Sequence, residues 1–260
     1  MPDKHLPDIQ SLTDNRNIPL DRAGIKGLRW PITVLDRKKG RQTTVATVNM
    51  YVNLPHNFRG THLSRFVEVL NEYSDCEWID RTGDILKTLR ENLDADEAHM
   101  EIEFPYFIEK EAPVTKLTSL MSYTCLFTAS YKKSEDIIMS IAVPVITLCP
   151  CSKEIADYGA HNQRCVVTVQ VRYSDFVWME EIIDLVESSA SGDLYSILKR
   201  PDEKYITENI FDHPMFVEDV VREVARKLDS MDRITWYTVE AESQESIHNH
   251  NAYARVEKKK

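Results

Sequence analysis

Cys149 and Cys151 stand one residue apart at the head of the stretch CPCSKEIADYGAHNQR (149–164), with His161 further along it. Three chemistries suit two thiols and an imidazole placed so. A Cys149–Cys151 disulfide would close a small, strained ring and needs an oxidising compartment. A structural zinc site ordinarily takes four Cys or His ligands in paired spacing, whereas one C-x-C and one His are at hand here. A working metal needs only three protein ligands and keeps its fourth position for water. Cys149, ending an apolar run, and His161, preceding the next run, could converge across the loop between them, with a carboxylate from elsewhere. Residue type favours this third chemistry.

Two further positions carry chemistry. His248 and His250 flank Asn249 just before the last apolar stretch. In an extended segment both rings point to one side, because side chains alternate. Such a pair can bind a metal or move protons near neutral pH; two solvated loop histidines are the competing reading. Glu218 lies off the apolar stripe near the start of a helical pattern. A helix N-terminus alone favours a carboxylate there by a few tenths to about 1 kcal/mol.

The elements that must position these groups follow from periodicity. Alternation marks strands at 28–36 and 44–52, where Ala46, Val48, Met50 and Val52 share one face. Helical spacing follows at 61–73 (Leu63, Phe66, Val67, Leu70) and 82–93 (Ile85, Leu86, Leu89, Leu93). Strands at 98–108 and 118–132 complete the first half. The second half offers a near-continuous apolar strand at 136–148 and an alternating one at 165–173. Helices at 176–190 and 214–231 come next, the latter with Pro214 in its first turn, and strands at 233–243 and 251–257 close the chain. Each half thus has the order β-β-α-α-β-β. Hairpins flanking a helix pair give antiparallel sheets with helices on one face, an α+β fold. The expected division is a polar arm at 1–24, disordered until something orders it, then units at 25–133 and 134–260, packed as one body.

Composition narrows the function. A formal charge of −10 opposes a protein that coats nucleic acid, which needs a basic surface. Local cations can still make a pocket for a phosphorylated small molecule. No apolar run approaches the roughly 20 residues of a membrane-spanning helix, and the N-terminus lacks the apolar core of a secretory signal. Five cysteines (Cys76, Cys125, Cys149, Cys151, Cys165) suit a reducing compartment, hence the cytoplasm. Among seven glycines none builds a phosphate-cradling loop motif.

The segments KGLRWPI (26–32), RGTHLSRF (59–66), TLCPCSKEIADYGAHNQR (147–164), KRPDEKYITEN (199–209) and HNHNAYA (248–254) together resemble the type IB GTP cyclohydrolases. The resemblance runs from about residue 24 to the end. It implies a tunnelling fold of two β-β-α-α-β-β units per chain and a homotetramer with active sites at subunit interfaces. It also implies conversion of GTP and water to 7,8-dihydroneopterin triphosphate and formate, the first step of tetrahydrofolate biosynthesis. Carried over by motif, Cys149, His161 and Glu203 bind one divalent metal (zinc, manganese or iron). Cys149, Cys151, His248 and His250 are catalytic, and Glu218 anchors the purine. For the triphosphate, Ser64 and Arg65 beside a helix start and Lys153 are the candidate contacts. Two rivals stand beside this reading: the tunnelling-fold nitrile oxidoreductase of queuosine biosynthesis, which works without a metal, and a non-catalytic zinc-stabilised assembly protein.

Overall fold

The computed structural model describes residues 8–10, 12–74 and 77–260; Cys76 and the opening of the polar arm lie outside them. Strand β1 (Leu20–Asp36) turns at Gly40, whose φ of 81° suits the residue, into β2 (Gly40–Leu54). On β2 the side chains of Ala46, Val48, Met50 and Val52 are buried, as their alternation requires. β3 (Ala98–Glu111) pairs antiparallel with β2, Met100 opposite Met50. There follow β4 (Thr118–Tyr131), β5 (Glu135–Leu148), β6 (Asn162–Tyr173), the two-residue β7 (Gly192–Asp193), β8 (Ile234–Ser243) and β9 (Ala252–Lys259). Among the described residues these strands form one sheet in the order β1-β2-β3-β4-β5-β6-β8-β9, with β7 paired to β5.

The chain divides into two compact units, residues 1–104 with 126–138 and residues 105–125 with 139–260. In the first, α1 (Leu63–Glu72) buries Phe66, Val69 and Leu70, and α2 (Thr82–Asn92) buries Ile85, Leu86 and Leu89. Leu63, expected on the apolar face of α1, is 54% exposed, because the buried stripe is turned towards Val69. Trp78 is fully buried with its ring centroid 6.4 Å from that of Trp30. Gln10 and residues 12–14 of the arm run along residues 57–60. The Arg59 amide donates to the Leu12 carbonyl at 3.1 Å and the Gly60 amide to the Gln10 carbonyl at 3.2 Å. This part of the arm is therefore hydrogen-bonded to its own chain.

In the second unit, β5, β6 and β8 bury alternating Val and Ile side chains. Over them lie α4 (Met179–Glu187), burying Met179, Ile182, Ile183 and Val186, and α6 (Val217–Asp229), burying Val217, Val220, Val221, Val224 and Leu228. Each fully buried Val or Leu contributes about 1.5–3 kcal/mol. Helix α6 packs on β8 and β9. Pro214 lies ahead of it, since its N-cap is Phe216, so the expected place in the first turn is corrected. Two helices add to the expected order. The six-residue α3 (Pro150–Ile155) fills the β5–β6 connection, and α5 (Arg200–Asp212) precedes α6. Helix α5 escapes periodicity because it buries only Asp202 and Ile210.

Candidate active site

The C-x-C motif sits where β5 hands over to β6. Leu148 and Asn162 are the last paired residues of the two strands, and the Cys149 amide donates to the His161 carbonyl at 3.1 Å, one step beyond. Hairpin closure therefore brings Cys149 and His161 together, while α3 and a turn fill the loop between them. The return needs Gly159, whose φ of 132° is open to glycine and strained for other residues. Pro150 opens α3, where its missing N–H costs nothing. Cys149 caps the helix: its Sγ accepts from the Ser152 amide at 3.4 Å. The Ser152 hydroxyl donates to the Cys149 carbonyl at 3.0 Å and accepts from the His161 amide at 3.2 Å. One serine thus ties Cys149 to His161. Cys149 is half-buried, whereas Cys151, one residue on, is exposed.

Among the described residues, the His161 ring is held through Nδ1. Its Nδ1 lies 3.0 Å from Gln163 Oε1 and 3.3 Å from the Ser246 hydroxyl. Gln163 Nε2 donates to the Thr147 hydroxyl at 3.3 Å, so Oε1 is the end that faces the ring. That orientation puts the proton on Nδ1 and leaves the Nε2 lone pair for a metal or an acid. Thr147 in turn lies 3.2 Å from Ser243 Oγ in the buried sheet. A chain of polar side chains from β5, β6, β8 and the following loop therefore orients one imidazole, as is usual for metal-ligating histidines.

The remaining candidates are placed as follows. His248 and His250 lie in the bent loop between β8 and β9, exposed, with rings stacked at 5.1 Å between centroids and 20° between planes. They share a side as expected, though through a bend and not an extended segment. Glu218 is exposed in the first turn of α6, where the helix dipole favours its charge. Lys153 on α3 donates to the Phe211 carbonyl and lies 4.4 Å over that ring. Ser64 and Arg65 are exposed on α1 in the first unit, and Arg65 donates to the Asn92 carbonyl at 2.7 Å.

Glu203 is half-exposed in the first turns of α5, 3.3 Å from Arg200 Nη1. Its neighbour Asp202 is fully buried. Burial opposes the Asp202 charge, but hydrogen bonds from Thr115, Lys199 and Val114 outweigh it and hold the carboxyl far below the usual range. From Glu203 to Phe211, the residue that Lys153 of the hairpin touches, α5 rises about 12 Å. The hairpin thiol and imidazole and Glu203 thus belong to opposite ends of α5. Thiol and free Nε2 suit a divalent ion; among the described residues no group of three His, Cys, Asp or Glu side chains gathers to hold one. Beside the hairpin, Leu148, Tyr158, Asn162, Thr207 and Phe211 help to line a cleft of about 840 Å³. Cys165 takes no part, since it faces the core of β6 and burial pushes its thiol up to about 12.

Sequence reasoning missed Ser152, Gln163 and Ser246. Gln163 was findable, because it lies two residues from His161 in a strand and so on the same face; Ser246 approaches only through tertiary folding.

Solved structures set the class. Urate oxidase from Bacillus subtilis 168 superposes with a TM-score of 0.54, covering 92% of this chain and 98% of that one at 8% identity. Uricase from Arthrobacter globiformis gives 0.52, with 92% and 93% covered at 8% identity. An antiparallel sheet with helices on one side, shared with these proteins, defines a tunnelling-fold protein.

Within that class a sequence model of the type I GTP cyclohydrolase FolE2 family matches residues 6–254. The GTP cyclohydrolase FolE2 of Syntrophus aciditrophicus is 57% identical over 252 residues, 96% of this chain and 99% of that protein. That of Citrifermentans bemidjiense is 53% identical over 253 residues, 97% and 95% of the two chains. The chain belongs to the type I GTP cyclohydrolase FolE2 family.

Proposed function

We propose that this GTP cyclohydrolase is metal-dependent and converts GTP and one water to 7,8-dihydroneopterin triphosphate and formate, the first step of tetrahydrofolate biosynthesis. The observation that carries the metal is the hairpin closure. It pairs half-buried Cys149 with His161 through their backbones, and among the described residues the His161 ring is engaged at Nδ1 by Gln163 and Ser246. Cys149, His161 and Glu203 would hold one divalent ion of the zinc, manganese or iron kind. When bound, such an ion lowers the pKa of its water to about 7 and supplies hydroxide at neutral pH.

The chain's own residues do the rest. The Glu218 carboxylate accepts the N1–H and the exocyclic amine of guanine as two parallel bonds, an arrangement that adenine's edge cannot offer. This places C8 for attack. After addition, the ring nitrogen leaving C8 departs only as a protonated group. The stacked His248 and His250 suit that transfer, because imidazole is the side chain best able to both accept and donate a proton. The exposed Cys151, two residues after Cys149, would orient the attacking water. Lys153, Ser64 and Arg65 are the cations and hydroxyl proposed for the triphosphate.

Glu203 stands at the end of α5 remote from its own hairpin, which supports active sites between copies in a homo-oligomer, a homotetramer by the family resemblance. Free thiols at Cys125, Cys149, Cys151 and Cys165 suit work in the cytoplasm, and no described helix is long and apolar enough to cross a membrane. The test is release of fluorescent neopterin from GTP after oxidation and dephosphorylation, with and without chelator. Chelator should abolish the signal and added zinc or manganese restore it; full turnover in chelator would refute the metal.

A further inference from the structure

We infer that Asp202 and Thr115 are positioning residues for the Glu203 donor, a role that rests on the proposed metal set. Asp202 is the third residue of α5 and accepts four hydrogen bonds. Oδ1 takes the Val114 and Thr115 amides, both at 2.9 Å. Oδ2 takes the Thr115 hydroxyl at 2.6 Å and the Lys199 amide at 2.9 Å. The Lys199 bond caps the helix from within, the acidic half of a capping box. The other three reach out of the helix to the turn between β3 and β4, which is closed by the Ala112 amide on the Leu117 carbonyl at 2.8 Å.

A helix cap needs one acceptor, and α6 meets it at the surface, where the Asp219 carboxylate accepts from the Phe216 amide at 3.1 Å. Here a fully buried carboxylate is matched with four donors, three of them on a different element. Such a clamp fixes two things about the start of α5, its position against the turn and its rotation about its own axis. Glu203 is the next residue, about 100° further round the helix, and the direction of its carboxylate follows from that rotation. Its own tie is slight: an exposed pair with Arg200 at 3.3 Å, of a kind that contributes about 0–1 kcal/mol. The arrangement is a rigid base carrying a lightly held donor.

The test uses the purified full chain and measures zinc affinity by competition with a chromophoric chelator, beside far-UV circular dichroism and the KM and kcat for GTP at limiting and excess zinc. Thr115→Val and Asp202→Asn should weaken zinc binding by about ten- to a hundredfold. KM for GTP should hold, and excess zinc should return kcat to within about twofold of the parent, as an affinity defect requires. Thr115→Ser, which keeps the hydroxyl, should bind zinc as the parent does. If Asp202→Asn does not fold, the Thr115→Val and Thr115→Ser pair decides. Parent-like zinc affinity in folded Thr115→Val, or a defect confined to KM, overturns the inference. Cys149→Ala separates the two levels: if it too keeps full zinc affinity, the metal set itself is wrong.

Discussion

Thiol reactivity divides the described cysteines into two kinds. Cys125 and Cys165 are fully buried, and burial raises both thiols, Cys165 to about 12. At pH 8 neither presents thiolate, the reactive form. Cys149 and Cys151 stand at the open end of the β5–β6 hairpin. Brief iodoacetamide treatment at pH 8, read by peptide mass spectrometry, should label Cys151 first. Zinc should protect Cys149, and Cys125 and Cys165 should react only after unfolding; early labelling of Cys165 would contradict its place in the core. Glu218 allows a sharper test. Glu218→Gln keeps the size but turns a donor towards the purine, losing two charge-assisted bonds of about 1.5–3 kcal/mol each. Expected is a fall of kcat/KM for GTP of a hundredfold or more, roughly, with metal content unchanged; steady-state kinetics and metal analysis on one preparation check both halves. At this scale the sequence carried residue types well. Cys149, His161 and the two late histidines stand out because few structural positions ask for them. Ser152 and Gln163 do not stand out, since a serine or a glutamine gains its task only when the hairpin has closed.

Elements were legible in proportion to how regularly they bury apolar side chains. Helix α6 places Val217, Val220, Val221, Val224 and Leu228 at helical spacing, and β2 alternates along most of its length, so both are plain in the sequence. Helix α5 is held by different means, a buried carboxylate at its start and the single apolar anchor Ile210, and a periodicity argument does not find it. Its fit against the sheet is nonetheless close. A Cβ built on Gly192 of β7 would come within 2.4 Å of Ile210 Cγ2, too near for real atoms. Gly192→Ala should therefore push α5 away from β7 and cost about 1–3 kcal/mol. In a chain of this size that is a drop in Tm of roughly 2–12 °C, measured by calorimetry. An unchanged Tm would mean that Ile210 gives way freely and that α5 is not seated there.

Assembly is the scale at which one chain says least by its sequence, because a surface meant for another copy obeys no periodicity. Exposure supplies the hint. Ile155 is 83% exposed and Tyr158 fully so on the loop that joins Cys149 to His161, beside the cleft bounded by α5. If sites lie between copies, a chain lacking its thiol and a chain lacking its carboxylate should complement each other. Cys149→Ala and Glu203→Ala should each be inactive alone. Co-expressed, they assemble at random, and roughly one site in four joins an intact Cys149 of one copy to an intact Glu203 of another. About a quarter of parent activity should return, and it should vanish on dilution into conditions that separate the copies. Were thiol and carboxylate always drawn from one chain, no mixture could contain an intact pair, and activity would stay absent whatever the ratio of the two variants.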